Sequence, residues 1–408
     1  MKRKVMLILL ILFVAAASLF AAGEQEGKEK EAVTIEYVTW EPEHHVEFWD
    51  KTINGILAKE APYITMTTMR IPWGEYNTKL PTLIAGGTAP DVMLMLYMMT
   101  QKYSDINAVI PLGEYIENDP DFSVDDYIAK SVNAWNVGGK QVAFPVIPTA
   151  WLVYYNKDMM DEAGLSYPTA DWLWEEEFLD TAQKLTEDTN SDGKPDTFGY
   201  TQNLWFNRCH NIVKEYGADY FTPDGKKCTM NAPESVEAIQ FLYDMIHKHN
   251  VMPTPDQLMG QSFQAFFSGG RAAMFMSGYF YFDAVLSSTE ADWGISIIPS
   301  GPAGNIQIDA ANGISIVKGT EHPDEAWEVI KAFLSKDAIK ASMDQQYHIG
   351  YNKEVLQEGS ELNDYFYEAT VLDRGDAGAI VDALRSAVPF TNVANGGEVM
   401  RVQADKLW

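Results

Sequence analysis

Carboxylate, sulfur and imidazole side chains recur in this chain at spacings that could do chemistry, and each cluster implies a different ligand or reaction. The run Asp188-Thr-Asn-Ser-Asp-Gly-Lys-Pro-Asp196 sets oxygens at Asp188, Asn190, Asp192 and Asp196 around a bend that Gly193 allows. Alternate oxygen donors suit the flexible shell of calcium, so one reading is a structural calcium loop. Gly199 stands at the twelfth position, where an EF-hand needs Glu, so an EF-hand is excluded. The other reading is a metal-free cluster of Asx turns. Cys209 and Cys228 could form a disulfide, which on the chain-entropy model would add about 3 kcal/mol, or remain two buried thiols. His44-His45 and His247-Lys-His249 carry metal-ligating rings, but the second pair lies in the polar end of a helical segment, where solvation accounts for it. No G-x-S-x-G, G-x-G-x-x-G, P-loop or H-E-x-x-H pattern is present, which removes the common nucleophilic, dinucleotide, phosphate-loop and zinc-protease readings. The 58 Asp and Glu residues leave paired acids for glycoside hydrolysis, and so a secreted glycosidase, as the enzymatic rival.

Export bounds the function further. Lys2, Arg3 and Lys4 precede an unbroken apolar run over 5–17 and small residues at Ala21 and Ala22, the layout of a signal peptide over 1–22. The run is shorter than the roughly 20 residues that span a bilayer. No Cys stands near the cleavage point, so the mature chain is expected in the periplasm or outside the cell without a lipid anchor. Residues 23–32, rich in Glu, Lys and Gly, read as a disordered tether. The formal charge of −28 includes the three cations of the signal, leaving the mature chain near −31. That balance disfavours nucleic acid and anionic membranes and favours a soluble protein, expected to be a monomer.

The elements that must position these groups alternate between strand and helix. Val33, Ile35 and Tyr37 alternate with polar neighbours; Val46, Trp49, Ile53, Ile56 and Leu57 then recur at helical spacing; residues 64–71 are extended again. A helix over 75–85 stops at Gly86-Gly87, and a strand over 91–96 follows Pro90. Strands over 153–155, 272–276 and 313–317 and helices over 172–185, 234–248 and 324–334 continue the pattern. Such alternation predicts parallel-type sheets flanked by helices. The length predicts two lobes. The expected division is 33–144 with 309–345 for the first lobe, and 145–308 with 346–408 for the second. Several crossings between lobes make a hinge around a central cleft.

Four segments, in order along the chain, are Leu83-Ile-Ala-Gly-Gly-Thr-Ala-Pro-Asp-Val92, Tyr154-Tyr-Asn-Lys-Asp158, Phe267-Ser-Gly-Gly-Arg-Ala-Ala-Met274 and Lys318-Gly-Thr-Glu-His-Pro-Asp-Glu-Ala-Trp327. With the export signal, they resemble family 1 extracellular solute-binding proteins, the sugar-capturing subunits of ABC importers. The resemblance covers nearly the whole mature chain and implies a two-lobe α/β periplasmic-binding-protein fold. It implies capture by hinge closure without catalysis, delivery to a membrane permease, and no required cofactor. It also implies further helix beyond Trp408, so contacts from such a segment are expected to be missing or to belong to a longer chain.

Sugar capture needs aromatic faces for C–H surfaces and planar polar groups for hydroxyls. Trp40, with Glu41, Glu43 and His44 just after it, ends the first strand, a contact position in proteins that this one resembles. Tyr97 follows the strand over 91–96. Trp151 enters the second lobe, Trp205 stands in a loop, and Tyr279 follows Gly278 where the family commonly stacks an aromatic on sugar. Asn312 and Arg374 are the expected hydroxyl partners. Trp73, Trp172, Trp174 and Trp327 read as packing or surface aromatics. Glycerol phosphate, a polyamine or a peptide on the same fold is the alternative ligand class, with phosphate calling for clustered cations at the cleft.

Overall fold

The computed structural model describes residues 30–390; the predicted signal peptide, most of the tether and the tail over 391–408 lie outside the described residues. The first lobe opens with β1 (Val33–Thr39), α1 (Glu43–Glu60), β2 (Ile64–Arg70), α2 (Trp73–Gly86) and β3 (Val92–Leu96). Val46, Trp49, Ile53, Ile56 and Leu57 bury one face of α1, as their three- and four-residue spacing requires. Gly87 caps α2 with φ 69°, a left-handed conformation that a residue without Cβ adopts at least cost. β4 (Val109–Ile110) and β5 (Phe144–Ile147) complete this stretch.

The chain enters the second lobe with β6 (Trp151–Asn156), β7 (Phe198–Gln202), α3 (Phe206–Glu215), α4 (Pro233–His247), β8 (Ala272–Gly278), α5 (Phe282–Ser288) and β9 (Trp293–Ile297). It returns through β10 (Ile308–Asp309), β11 (Asn312–Val317), α6 (Pro323–Leu334) and α7 (Lys336–Asp344), then ends with α8 (Arg374–Ser386) and β12 (Val388–Pro389). The first sheet runs β2-β1-β3-β11-β4, with β5 also on β11. β1 is parallel to β2 and β3, while the returning β11 is antiparallel to β3. Because β5 pairs with β11, the crossing falls after Ile147 rather than at Phe144-Pro145. The second sheet runs β9-β6-β8-β7 and is parallel only between β7 and β8, since β6 enters antiparallel to both its neighbours. Parallel pairing of β10 with β12 ties together two of the connecting segments.

One core cluster fills one face of the first sheet with Ile35, Trp49, Val92, Ile314, Ile330 and Phe333. The other face, with Val38, Met93 and Tyr76, joins a cluster that continues into the second lobe through Trp151 and Tyr154. The helix expected over 172–185 begins at Trp174 as a π-helical turn (Trp174–Phe178) and runs on as Leu179–Lys184. Gly199 lets β7 lie against it: a Cβ there would come within 1.9 Å of the Ala182 carbonyl oxygen.

The disulfide expected between Cys209 and Cys228 does not form. Cys209 is buried in α3 and Cys228 is exposed, so both are free thiols. Burial pushes the Cys209 thiol up to about 12, which makes it a packing residue.

Candidate ligand-binding cleft

Three segments of the first sheet end side by side. β1 delivers Trp40, β3 delivers Tyr97, and the antiparallel register sets Asn312 opposite Leu96, so the start of β11 meets the end of β3. The Tyr97 N–H donates to the Ala311 carbonyl at 3.1 Å, which locks that junction. Trp40 meets Trp73 at 5.3 Å and Tyr76 at 4.8 Å between ring centroids, both edge-on. Trp73, expected to be packing, therefore belongs to the aromatic cluster at the lobe's rim.

The second sheet presents its matching edge. Trp151 pairs with Gly278, Leu152 with Ser277, and Met276 with Gln202, so the start of β6 and the ends of β7 and β8 share one rim. Trp151 is buried; its indole N–H donates to the Ile308 carbonyl at 2.7 Å, and its backbone N–H donates to Gln307 Oε1 at 3.0 Å. It thus holds the linker as much as it offers a face. The Arg208 guanidinium lies 5.5 Å from the Trp151 ring and 5.8 Å from the Phe280 ring. Burial lowers the Arg208 pKa from its ordinary value, opposed by neighbouring tyrosine and cysteine groups, including Tyr97 of the other lobe.

Tyr279 is 2% exposed, with its N–H on the Ala150 carbonyl and its ring 5.0 Å from Phe282, whereas Phe280 is 41% exposed. Gly278 makes this arrangement: a Cβ there would meet the Phe280 ring at 2.2 Å. The open aromatic face beside Gly278 is therefore that of Phe280. Trp205 is 45% exposed, and its ring lies 6.5 Å from Trp73 across the cleft.

The lobes also touch through a polar cluster. Asp283 Oδ2, on α5, lies 3.1 Å from Nε2 of both His44 and His45, on α1. Glu41 Oε1 lies 3.1 Å from Nδ1 of His45, and the Thr39 hydroxyl donates to Glu41 Oε2 at 3.3 Å. Glu41 and His44 thus belong to the contact between lobes, while Glu43 is exposed on the first turn of α1. Together these contacts bridge the two lobes.

At the strand ends that border the cleft lie polar atoms that the protein itself does not satisfy. Among the described residues, Tyr97 Oη and Asn312 Oδ1 on one lobe, and Thr201 Oγ1, Gln202 Nε2 and Ser277 Oγ on the other, are buried without a hydrogen-bond partner; so is Gln307 Nε2 in the connecting segment. Native interiors rarely leave such groups unpaired, because each costs roughly 1–3 kcal/mol. The β7–β8 register puts Thr201 and Ser277 on one face of the second sheet and Gln202 on the other, and further unpaired buried atoms, such as His348 Nε2, lie away from these strand ends. Sequence reasoning missed Thr201, Gln202 and Ser277, although each is a polar residue closing an otherwise apolar strand, and it also missed Phe280, Arg208 and Gln307.

Two expectations fall elsewhere. Arg374 begins α8 and lies over the Tyr367 ring at 4.4 Å, beside Glu358, Asp382 and Arg385 in a surface pocket. Its neighbour Asp373 lies 3.8 Å from Lys157, which follows the far end of β6 from Trp151, roughly 17 Å away at strand rise. Arg374 is therefore not a cleft residue. In the 188–196 loop, Asp196 accepts from the Thr189 and Asn190 N–H groups, Asp188 from those of Asp192 and Gly193, Asn190 from that of Asp192, and Asp192 from that of Lys194. These bonds are those of an Asx-turn network.

Residues 44–340 match the family model described as bacterial extracellular solute-binding protein. An arabinooligosaccharide-binding protein of Halalkalibacterium halodurans is 23% identical over 338 residues, spanning 79% of this chain and 71% of that protein. An ABC substrate-binding protein of Listeria monocytogenes, solved in complex with cycloalternan, shares the fold with a TM-score of 0.83, at 26% identity over 92% of this chain and 93% of that one. A cyclic alpha-maltosyl-1,6-maltose binding protein of Arthrobacter globiformis has the same fold, with a TM-score of 0.74 at 19% identity over 92% and 93% of the two chains.

Proposed function

Because the chain belongs to the bacterial extracellular solute-binding proteins, we propose that it captures an oligosaccharide outside the cytoplasm and hands it to the permease of an ABC importer. The observation that carries this reading is the set of unpaired polar atoms at the strand ends of both lobes, Tyr97 Oη and Asn312 Oδ1 on one, Gln202 Nε2 and Ser277 Oγ on the other. A neutral sugar supplies hydroxyls that both donate and accept, while Trp40, Trp73, Trp205 and Phe280 supply faces for its C–H surfaces. Relatives named for arabinooligosaccharides and maltotriose, and the neighbour solved with cycloalternan, support an oligosaccharide.

Capture proceeds by closure. An open form exposes the rims, the sugar bridges them, and the hinge shifts toward closed by the difference in the ligand's affinity for the two forms. The protein acts as an exported monomer, with no catalytic step and no required cofactor. The acids at the cleft mouth, Glu41 and Asp283, are both engaged by His45, which argues against a free carboxylate pair for glycoside hydrolysis. A phosphate ligand calls for clustered cations, whereas Arg208 is packed against Trp151 and Phe280 and Arg70, at the cleft mouth, donates to the Glu41 carbonyl. The Asx-turn bonds of the 188–196 loop support its metal-free reading over a structural calcium.

Tryptophan fluorescence of the chain from Gly23 onward, titrated with arabino- and malto-oligosaccharides, cyclic glucans, glycerol phosphate and a polyamine, tests the reading. A saturable change with a sugar that is recovered intact supports it. A response only to phosphate or polyamine replaces the ligand class, and recovery of cleaved sugar overturns capture without chemistry.

A further inference from the structure

The polar contact at the cleft mouth brings two imidazoles and a carboxylate from opposite lobes to one point. The His44 and His45 Nε2 atoms each lie 3.1 Å from Asp283 Oδ2. One ligating atom from each of the three residues falls within 4.8 Å of the others, and His44, His45 and Asp283 are the metal-competent group found among the described residues. We propose that these side chains form a transition-metal site, of the class that takes Zn2+, that clasps the two lobes together.

Glu41 supplies the argument beyond proximity. Its carboxylate accepts only, so the 3.1 Å contact to His45 Nδ1 requires a proton on that nitrogen. Against the burial that lowers it, Asp283 and Glu41 raise the His45 pKa to about 9, so a proton on Nε2 satisfies the 3.1 Å contact to Asp283 in the metal-free protein, and a metal ion would take that proton's place between the same two atoms. A carboxylate holding the outer nitrogen of a ligating histidine is the usual support of a metal-bound imidazole. Tyr347 stacks on the His45 ring at 3.7 Å and fixes its plane.

The distances and donor types suit the ion. Two tetrahedral ligands about 2.0–2.1 Å from zinc lie roughly 3.3 Å apart, close to the two 3.1 Å separations to Asp283, while the ligand atoms of the His44 and His45 rings lie within 4.8 Å of each other. Imidazole with one carboxylate selects zinc, cobalt, nickel or copper over calcium and magnesium. A fourth position is left for water, since His44 is 58% exposed.

The site exists only when the lobes meet, because α1 carries two ligands and α5 the third. A metal bound there favours the closed form, and by reciprocity a cleft ligand raises metal affinity. This goes beyond capture itself, since its ligands His44, His45 and Asp283 are other groups than the unpaired atoms at the strand ends.

The test is calorimetric titration of ZnCl2 into chelator-stripped, tag-free protein from Gly23 onward at neutral pH, with small-angle scattering on the same samples. The expected result is one ion per chain, uptake weakened at least tenfold in both His44→Ala and Asp283→Asn, and a smaller radius of gyration on zinc addition in the parent only. Glu41→Gln is expected to weaken uptake about 10–100-fold while leaving the ligands in place. Circular dichroism melts of each variant separate lost binding from lost folding. No saturable uptake overturns the proposal in favour of a metal-free ion pair. Equal uptake by the His44→Ala, Asp283→Asn double variant overturns it by assigning the ion elsewhere. Neither result bears on sugar binding, which fluorescence reads independently.

Discussion

Ser277→Ala separates a hydroxyl kept for a ligand from one kept for folding. Ser277 is fully buried near the end of β8, and its Oγ has no hydrogen-bond partner. A buried, unpaired hydroxyl costs the free protein about 1–3 kcal/mol. Removing it should leave the free protein equally stable or about 1 kcal/mol more stable in urea unfolding. In the complex the same hydroxyl bonds to the sugar, so its loss should cost about 1–2 kcal/mol, a fall of roughly 5–30-fold in affinity. Denaturant unfolding without sugar and calorimetric titration with the sugar found by fluorescence read the two effects separately. Destabilisation by more than about 1 kcal/mol with unchanged affinity would refute the reasoning, since it would make Ser277 an ordinary packing residue.

Phe280→Ala and Trp205→Ala should each weaken sugar binding about tenfold or more while shifting unfolding little, because both rings are exposed at the rim; calorimetry checks the first and a thermal melt the second. An alkylating reagent should label Cys228 in the native protein and reach Cys209 only after denaturation, with reductant leaving the melting temperature unchanged; mass spectrometry counts the labels. Glu215 is buried, its Oε2 accepting from the Trp174 indole at 2.6 Å, and burial pushes its carboxyl well above the usual carboxylate range. Its folded form holds a proton that the unfolded chain releases near pH 4.5, so its stabilising contribution is complete below that value. It falls by about 1.4 kcal/mol per pH unit as pH rises toward the folded value. Glu215→Gln should flatten that decline in stability measured between pH 5 and 8.

What could be read from the sequence follows the range over which each signal acts. The face of α1 and the stop at Gly87 come from spacing and local backbone preference, so the first lobe's strand–helix order was legible. Sheet direction is set by distant partners, so the antiparallel entry of β6 and the pairing of β5 with β11 were not. Trp40, Tyr97 and Asn312 were legible as residues at strand ends. Arg374 was misplaced because nothing near it in sequence tells which end of the second sheet α8 reaches; its neighbour Asp373 turns toward Lys157 instead. Phe280 was hidden behind Tyr279 because one residue of register around Gly278 decides which ring is buried.

The unpaired polar atoms also bear on how closure produces selectivity. A lobe interface with every donor and acceptor satisfied would hold the closed form without ligand and leave nothing for the solute to add. Here Tyr97 Oη, Asn312 Oδ1, Gln202 Nε2 and Ser277 Oγ are buried without partners, so closing the empty cleft carries a desolvation cost that a solute with correctly placed hydroxyls removes. A solute that fills the space but lacks a hydroxyl leaves part of that cost in place, and discrimination by missing polar partners is stronger than discrimination by shape alone. The contact between His45 and Asp283 acts in the opposite sense, favouring closure whatever the cleft holds. The balance of these two terms sets how much of the free protein is closed, and therefore how much of the sugar's binding energy remains to drive the hinge.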